Sequence, residues 1–329
     1  MSTLLEIHDL TIWFDTDEGP VLAVNGLSLA LEPAQVLALV GESGCGKTVT
    51  ALSLLRLAPP NARVTGQARF DGKDLLAMPG RQLRAVRGRQ ISMVFQEPMS
   101  SLNPVFTVGR QIAEVLRRHR KLSNRDANAR AVELLDLVRI PAALRRMEEY
   151  PHQMSGGMRQ RVMIAMAVAC DPKLIIADEP TTALDVTIQA QVLDILRDLR
   201  ERFGTAILLI THNLGVVADI ADRVVVMYAG HKVEQAPVGE LFATPQHPYT
   251  IGLLGAVPRR QTHQSADRRL AEIPGLVPVL RQTPTGCVFA PRCTRRTDPC
   301  QVTTPELTPV PPDQHVACFH PGTRQEVPA

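Results

Sequence analysis

Aromatic residues are scarce in this 329-residue sequence, and long hydrophobic runs are missing from it. Aromatic side chains make up 4% of the chain, with one Trp, three Tyr and eight Phe. Proteins that bind single-stranded nucleic acid usually stack the bases on several aromatic rings. The longest apolar run, Val162 to Cys170, has nine residues, whereas a membrane-spanning helix needs about 18. The composition therefore favours neither a base-stacking surface nor a membrane span.

The first residues do not lead us to expect a signal peptide, and the net charge of the chain is small. Its first residues show no cationic segment followed by an apolar core, the pattern that marks a secreted protein. The net charge of +3 is too small to indicate a polyanionic partner, so the basic run at residues 117–121 is interpreted as a solvated helix face. We expect a cytoplasmic chain whose membrane role, if it has one, depends on a partner.

The pattern of apolar residues predicts an α/β fold. Two strands, Leu4 to Phe14 and Val21 to Leu31, flank a turn-rich segment and form a hairpin. A third strand, Gln35 to Val40, runs into a glycine-rich loop that is followed by a helix from Val49 to Leu57. Strand, loop and helix in this order are what a phosphate-binding loop requires.

The middle of the chain is predicted to be helical, and buried strands return after it. Val108 to Arg120 and Arg125 to Val138 have apolar residues at three-and-four spacing. The continuous apolar runs Leu174 to Ala177 and Ala206 to Ile210 suit a parallel sheet covered on both faces. Between them lies a helix with one apolar stripe, which ends at Gly204.

The composition changes after about residue 230. The last 99 residues hold 15 of the 26 prolines and four of the six cysteines. Proline-rich sequence without periodicity is typical of loops. We expect a separate, loop-rich C-terminal extension, with the main domain covering residues 1–255 and the extension 256–329.

The segment Gly41 to Thr48, with the sequence GESGCGKT, has the pattern of a phosphate-binding loop. Glycines allow successive backbone N–H groups to point at phosphate oxygens. Lys47 would neutralise the β and γ phosphates, and the Thr48 hydroxyl would ligate magnesium. Cys45 is interpreted as a variable position and not as a nucleophile. The expected nucleotide contacts are Gly41, Ser43, Gly44, Cys45, Gly46, Lys47, Thr48 and Val49.

The apolar strand Leu174 to Ala177 leads directly into two carboxylates, Asp178 and Glu179. Ligands of open α/β sheets bind at the carboxyl ends of the strands. We expect Asp178 to hold magnesium and Glu179 to orient and polarise an attacking water.

A third motif, Ser155-Gly156-Gly157, begins an apolar helix between the phosphate loop and the acidic strand. The N–H groups at such a helix start form an anion site. The three motifs together resemble the ATP-binding cassette (ABC) ATPases. The resemblance implies a RecA-like core, an antiparallel β subdomain and a helical subdomain at about 97–157. It also implies that Ser155 to Gly157 contact the ATP held by a second subunit, so that the chain alone is a poor enzyme.

The resemblance assigns further residues one by one. Gln96 matches the Q-loop glutamine, which senses magnesium and the attacking water and links to the transmembrane partner. Asp185 matches the D-loop residue at the dimer interface, and His212 matches the switch histidine that contacts the γ phosphate. Phe14 is the aromatic expected against adenine. The sequence departs from the common signature pattern at two positions, Met154 in place of leucine and Met158 in place of glutamine.

Four cysteines of the tail, Cys287, Cys293, Cys300 and Cys318, are clustered. A disulfide is disfavoured in a cytosolic chain, structural zinc usually uses tighter Cys-x-x-Cys spacing, and unligated thiols stay possible. The pattern Gly-Cys-x-Phe-x-x-Arg-Cys at 286–293, with HPYT at 247–250 and IPG at 273–275, resembles the C-terminal extension of oligopeptide and dipeptide transporter ATPases. That resemblance favours a [4Fe–4S] cluster.

The resemblance as a whole implies an ATP-hydrolysing subunit of a peptide importer. Its expected partners are two permease subunits, a second ABC ATPase and, indirectly, a solute-binding protein, and its expected place is the cytoplasmic face of the membrane. Nickel importers share much of the pattern, including residues 96–104, and are the first alternative. A soluble ABC ATPase that acts on nucleic acid or ribosomes is the second, although weak basicity and few aromatics count against it.

Overall fold

A computed structural model describes residues 3–97, 101–182, 184–256 and 273–322. Residues 98–100 of the predicted importer motif and residues 257–272 of the predicted extension lie outside these ranges. The strands are β1 Leu5–Thr16, β2 Gly19–Leu31, β3 Val36–Val40, β4 Ala62–Phe70, β5 Lys73–Asp74, β6 Ile91–Val94, β7 Leu174–Asp178, β8 Ala206–Thr211, β9 Arg223–Tyr228, β10 His231–Pro237, β11 Thr308–Val310 and β12 Gln314–Val316.

The α-helices have the following bounds. They are α1 Lys47–Leu54, α2 Gly80–Val86, α3 Val108–Arg120, α4 Asn124–Leu137, α5 Ala143–Arg146, α6 Gly156–Val168, α7 Val186–Phe203, α8 Leu214–Ile220, α9 Val238–Ala243, α10 Pro248–Gly255 and α11 Asp298–Val302. Short 3-10 turns cover Pro151–Gln153 and Ala290–Arg292.

The chain divides into two compact units. The first unit comprises Met1–Leu4, Leu31–Val36 and Ala77–Ile210. In it, β6, β7 and β8 form a parallel sheet in which β7 lies in the middle, with Val94 opposite Ala177 and Asp178 opposite Ile210. Every residue of β7 is buried, as the continuous apolar run predicts for a strand covered on both faces.

Side-chain caps explain where the helices of the first unit begin. Thr107, Ser123, Ser155 and Asp185 each accept a hydrogen bond from a backbone N–H in the first turn of the helix that follows. These bonds satisfy donors that the helix leaves without a partner. Helix α7 ends at Gly204, which has the left-handed conformation with φ of 64°, so the predicted C-cap is confirmed.

The second unit comprises Leu5–Ala30, Leu37–Leu76 and Thr211–Ala329. One of its sheets has the order β2-β1-β4-β5, and β1 pairs antiparallel with β4 from Leu5 opposite Phe70 to Phe14 opposite Ala62. The predicted hairpin of β1 and β2 is present, although both strands extend closer to the turn than their apolar patterns indicate.

A second sheet of this unit contains strands from both ends of its sequence. Strand β3 pairs parallel with β9, β9 pairs antiparallel with β10, and β10 pairs antiparallel with β12. The Ala317 N–H also donates to the Val233 carbonyl at 2.9 Å. The tail therefore pairs with the sheet of this unit, and the domain boundary at residue 255 stays a prediction. The tail supplies the strand that satisfies the backbone groups along the edge of β10.

Within the described ranges, no helix is both long and apolar enough to cross a membrane.

Gly109, at the start of α3, provides a test of the packing in the first unit. A Cβ at this position would lie 2.7 Å from the Met147 carbonyl oxygen and 2.6 Å from its terminal methyl carbon. We expect Gly109→Ala to lower the free energy of unfolding by about 1–2 kcal/mol, because overpacking exceeds the gain in helix propensity. Gly80→Ala is the control, since Gly80 also lies in a first helical turn but has open space around it. Equal stability of the two variants in urea unfolding would contradict this packing.

Candidate functional site

The phosphate loop lies between β3 and α1 in the second unit. Neighbouring backbone leaves no room for side chains at two of its glycines. A Cβ at Gly41 would lie 2.2 Å from the Met227 carbonyl oxygen, and one at Gly46 would lie 2.4 Å from the Ala23 carbonyl oxygen. Gly46 also has φ of 97°, a conformation that L side chains avoid. Ser43, Gly44 and Thr48 are exposed, so the loop is accessible to a ligand.

Lys47 is buried and directed back over its own loop. Its ammonium group donates to the carbonyl oxygens of Gly41 at 2.7 Å and Glu42 at 2.9 Å. These contacts keep the charge at the loop, where it can meet an anion. Burial raises the pKa of the adjacent Cys45 thiol, although Lys47 opposes the shift. A neutral, buried thiol is a poor nucleophile, and the sequence interpretation likewise gave Cys45 no nucleophilic role.

The first unit brings three predicted residues to one edge of its sheet. Strands β6 and β7 are parallel and in register, so Gln96 emerges beside the end of β7, where Asp178 and Glu179 lie. Asp178 is 2% exposed and Glu179 8%, and Gln96 is exposed. The Glu179 carboxylate accepts a hydrogen bond from the Thr182 hydroxyl. This edge therefore combines two buried acids with one accessible amide.

Glu179 has the left-handed conformation, with φ of 50°. Such a conformation costs a residue with a side chain of order 1–3 kcal/mol and often occurs at functional sites. Its backbone is held in place because the Glu179 N–H donates to the Ile210 carbonyl at 2.8 Å. The left-handed backbone of Glu179 marks the point at which the chain leaves β7.

Ser155, Gly156 and Gly157 lie at the start of α6 as predicted. The Ser155 hydroxyl accepts from the Met158 N–H at 3.3 Å. Gly156 has open space beside it, whereas a Cβ at Gly157 would lie 2.6 Å from the Ile188 Cγ2 atom. The exposed glycine leaves the helix start accessible, and the buried one lets α7 pack against α6. Met154 is 3% exposed, so the methionine that replaces leucine keeps an apolar core position.

The remaining predicted residues have the following places. Asp185 caps α7 by accepting from the Ile188 N–H at 2.9 Å. His212 is exposed and directly follows β8, and Phe14 is half-buried near the end of β1. Asp185 thus has a local structural role in addition to any role in a dimer.

Sequence reasoning missed two residues that contact the phosphate loop from the later part of the chain. The Arg292 guanidinium donates to both carboxylate oxygens of Glu42, at 2.7 and 3.1 Å. The Tyr249 hydroxyl accepts from the Glu42 N–H at 2.8 Å. Both residues belong to motifs that carried the family resemblance, so their presence was visible in the sequence although their contacts were not.

The four tail cysteines all line one cavity, and none forms a disulfide. The N–H groups of Arg295 and His320 each donate to a cysteine sulfur at 3.3 Å, that of Cys293 and Cys318 respectively. Burial raises the pKa of the Cys318 thiol to about 11 and also raises those of Cys287 and Cys293.

This cavity is not a preformed metal site. Among the residues that the structure describes, no three His, Cys, Asp or Glu side chains are grouped closely enough to hold a metal ion. The side chains around the thiols are largely apolar, and the space between them is small. The predicted [4Fe–4S] cluster is therefore not supported by this arrangement, although the four thiols do converge.

Two family models match this chain. The model described as ABC transporter matches residues 24–182. The model described as oligopeptide/dipeptide transporter, C-terminal region, matches residues 233–300. The first includes the phosphate loop and the acidic strand, and the second includes most of β10, all of α10 and three of the four tail cysteines.

Curated relatives resemble the chain over nearly its whole length. A "probable peptide ABC transporter ATP-binding protein" of Sinorhizobium fredii is 53% identical over 319 residues, which are 96% of this chain and 94% of that protein. The oligopeptide transport ATP-binding protein OppD of Salmonella typhimurium is 49% identical over 320 residues, which are 97% and 94%.

Solved structures share the cassette fold. The ATP-binding cassette MJ0796, a dimer bound to ADP and phosphate in a post-hydrolysis state, matches with a TM-score of 0.65 and 25% identity. The match covers 71% of this chain and 98% of that one. CbiO1 of Clostridium perfringens, part of an ABC transporter complex, matches with a TM-score of 0.62 and 25% identity, over 74% of this chain and 92% of that one.

We expect the buried His247 side chain to make the free energy of unfolding depend on pH. Burial lowers the pKa of its imidazole to about 3, and the neutral Nδ1 atom accepts from the Tyr249 N–H at 3.0 Å. Below pH 6.5 the unfolded chain takes up a proton that the folded chain excludes, so stability falls as the pH falls. We expect a loss of about 1 kcal/mol between pH 7.5 and 5.5 that is absent in His247→Asn, as measured by urea unfolding. His152→Asn is the control because His152 is exposed, and an unchanged pH dependence in His247→Asn would contradict this result.

Proposed function

This chain belongs to the ATP-binding proteins of ABC peptide transporters, and on that premise we propose that it hydrolyses ATP to power the import of peptides through a membrane permease. The observation that carries the proposal is the phosphate loop, in which glycines admit close backbone contacts while Lys47 lies across the loop. Backbone N–H groups with a buried lysine are an arrangement suited to a nucleoside triphosphate.

We assign the following roles at the nucleotide. Gly41 to Thr48 and Val49 hold the phosphates, with Lys47 at the β and γ groups, and Phe14 lies against adenine. The exposed Thr48 hydroxyl and the buried Asp178 carboxylate are oxygen ligands of the kind that magnesium prefers, and Gln96 completes this set. Magnesium supplies charge neutralisation at the phosphates.

Glu179 is proposed as the residue that orients the attacking water. Its carboxylate lies at the end of a buried strand and its backbone is fixed by the bond to Ile210, so its position is well defined. Phosphoryl transfer depends more on such positioning than on proton affinity. His212, directly after β8, is assigned to the γ phosphate.

A second subunit completes each site in this proposal. The accessible start of α6, at Ser155, Gly156 and Gly157, is assigned to the ATP of the opposite cassette, with Asp185 at the interface between them. Closure on ATP would drive the permease to change its access, and hydrolysis would reopen the dimer. The chain would lie at the cytoplasmic face of the membrane, bound to two permease subunits and served by a solute-binding protein.

Peptides are the favoured cargo because the relatives that match nearly the whole chain are named for peptide transport. A nickel importer and a soluble ATPase acting on nucleic acid are the alternatives. Among the described residues, no observation favours either alternative.

A second, narrower proposal starts from the four thiols that line one cavity. We propose that the extension binds a [4Fe–4S] cluster there, although the site is not preformed among the described residues. Backbone N–H groups directed at sulfur stabilise thiolate ligands and tune such clusters, and Cys293 and Cys318 each accept one. Zinc and free thiols are the other outcomes.

The substitution Glu179→Gln tests the ATPase assignment in the assembled transporter. We expect ATP binding to persist while turnover falls about 100-fold or more, since a positioned base contributes 10²–10⁴-fold. Glu201→Gln is the control because Glu201 is an exposed acid on α7. Radiolabelled peptide and nickel uptake are measured on the same vesicles. Near-normal turnover of Glu179→Gln would contradict the role of Glu179, and uptake of nickel alone would contradict peptide import.

Iron and acid-labile sulfide in anaerobically purified protein test the cluster. We expect about four iron and four sulfide per chain, with visible absorption that is lost when Cys287 and Cys318 are both replaced by serine. Cys170→Ser is the control, because Cys170 is a buried thiol outside the cavity. Protein that contains zinc instead, or no metal, would overturn the cluster.

A further inference from the structure

Glu42, the second residue of the phosphate loop, forms an ion pair that its own motif does not require. Two guanidinium nitrogens of Arg292 donate to its two carboxylate oxygens. The Arg292 side chain is 5% exposed and that of Glu42 30%. A paired fork of this kind is the strongest arrangement of arginine and carboxylate, and burial strengthens it further.

The Arg292 guanidinium is itself held by the extension. Its Nε atom donates to the Pro274 carbonyl at 2.8 Å, and one terminal nitrogen donates to the Ile273 carbonyl at 2.9 Å. Gly275, with φ of 83°, turns the chain beside the aliphatic part of the arginine. The segment 273–275 therefore holds the Arg292 side chain in place beside Glu42.

The third family motif contacts the backbone of the same residue. The Tyr249 hydroxyl accepts from the Glu42 N–H, and Tyr249 packs against Tyr228 and Phe289 with ring centroids 4.7 and 5.5 Å apart. Three motifs distinguish the tail, at 247–250, 273–275 and 286–293. The first and the third contact Glu42 directly, and the second contacts it through Arg292.

This convergence has an electrostatic consequence for a loop that binds a triphosphate. A carboxylate within such a loop repels the phosphates unless a cation neutralises it, because like charges interact strongly where solvent is partly excluded. Arg292 supplies that cation, and it comes from the extension and not from the phosphate-loop motif itself.

We propose that Arg292 is a positioning residue for nucleotide binding that acts by neutralising Glu42, so that the C-terminal extension sets the ATP affinity of this subunit. The inference rests on the proposed ATP site at Gly41 to Thr48.

Charge neutralisation and mere bracing make different predictions for a double substitution. If Arg292 acts by neutralising Glu42, Arg292→Met should weaken Mg-ATP binding about tenfold, whereas Arg292→Met with Glu42→Gln should recover to within about threefold of the wild type, as expected for strongly coupled charges. Glu42→Gln alone completes the double-mutant cycle, from which the coupling between the two charges is calculated. If Arg292 acted only by holding the loop in place, the single and double variants should bind Mg-ATP equally weakly.

The measurement is the Kd of a fluorescent ATP analogue with magnesium, on the purified full chain, with thermal unfolding measured in parallel. Arg281→Met is the matched control, since Arg281 pairs with Glu18 outside the phosphate loop. Arg292→Lys should give an intermediate Kd, because it keeps the charge and loses the fork.

Three results would overturn the inference. The first is an unchanged Kd in Arg292→Met, and the second is a weakened Kd that Glu42→Gln does not restore. The third is absence of Lys47-dependent ATP binding in the wild type, which would overturn the proposed function as well. If Lys47→Ala abolishes ATP binding and Arg292→Met leaves the Kd unchanged, the inference is overturned and the proposed function is not.

Discussion

The structure depends on one loop whose backbone an anion can approach closely. Close approach needs a backbone that side chains do not cover, and neighbouring residues must then hold that backbone in place. The carbonyl oxygens of Met227 and Ala23 lie where Cβ atoms of Gly41 and Gly46 would be. The glycines are therefore required by the packing of the protein around the loop, and they suit the close backbone contact that the proposed nucleotide would make.

The same constraint explains the surroundings of the loop. Buried strand β3 delivers the chain to Gly41, and Lys47, Tyr249 and Arg292 all contact the Gly41–Glu42 segment. A loop rich in glycine has little intrinsic rigidity, so its order must come from such contacts. Much of that support comes from residues that follow the cassette motifs in the chain.

Local patterns predicted the parts of the fold that local physics decides. Gly204 ends its helix because only a left-handed residue fits there, and the run at 174–177 is a buried strand as its uninterrupted apolar character indicates. The phosphate loop, Asp178 and Glu179 were predictable because their spacing is part of the motif.

The contact between Arg292 and Glu42 was not predictable, since 250 residues separate them and a sequence with many charges does not reveal which of them pair. The pairing of β12 with β10 was missed for a similar reason, because three residues in a proline-rich tail carry almost no strand signal.

The pairing of β10 with β12 also affects the order in which this protein folds. Glu234 and Gln235 are made by the ribosome long before Val316 and His315, which pair with them. Until those residues emerge, β10 presents an open edge of the kind to which other chains can add. The pairing of β10 with β12 is therefore a late, non-local step in biosynthesis. A nascent chain halted within the tail would carry an almost complete cassette whose β10 edge is unpaired and prone to aggregation.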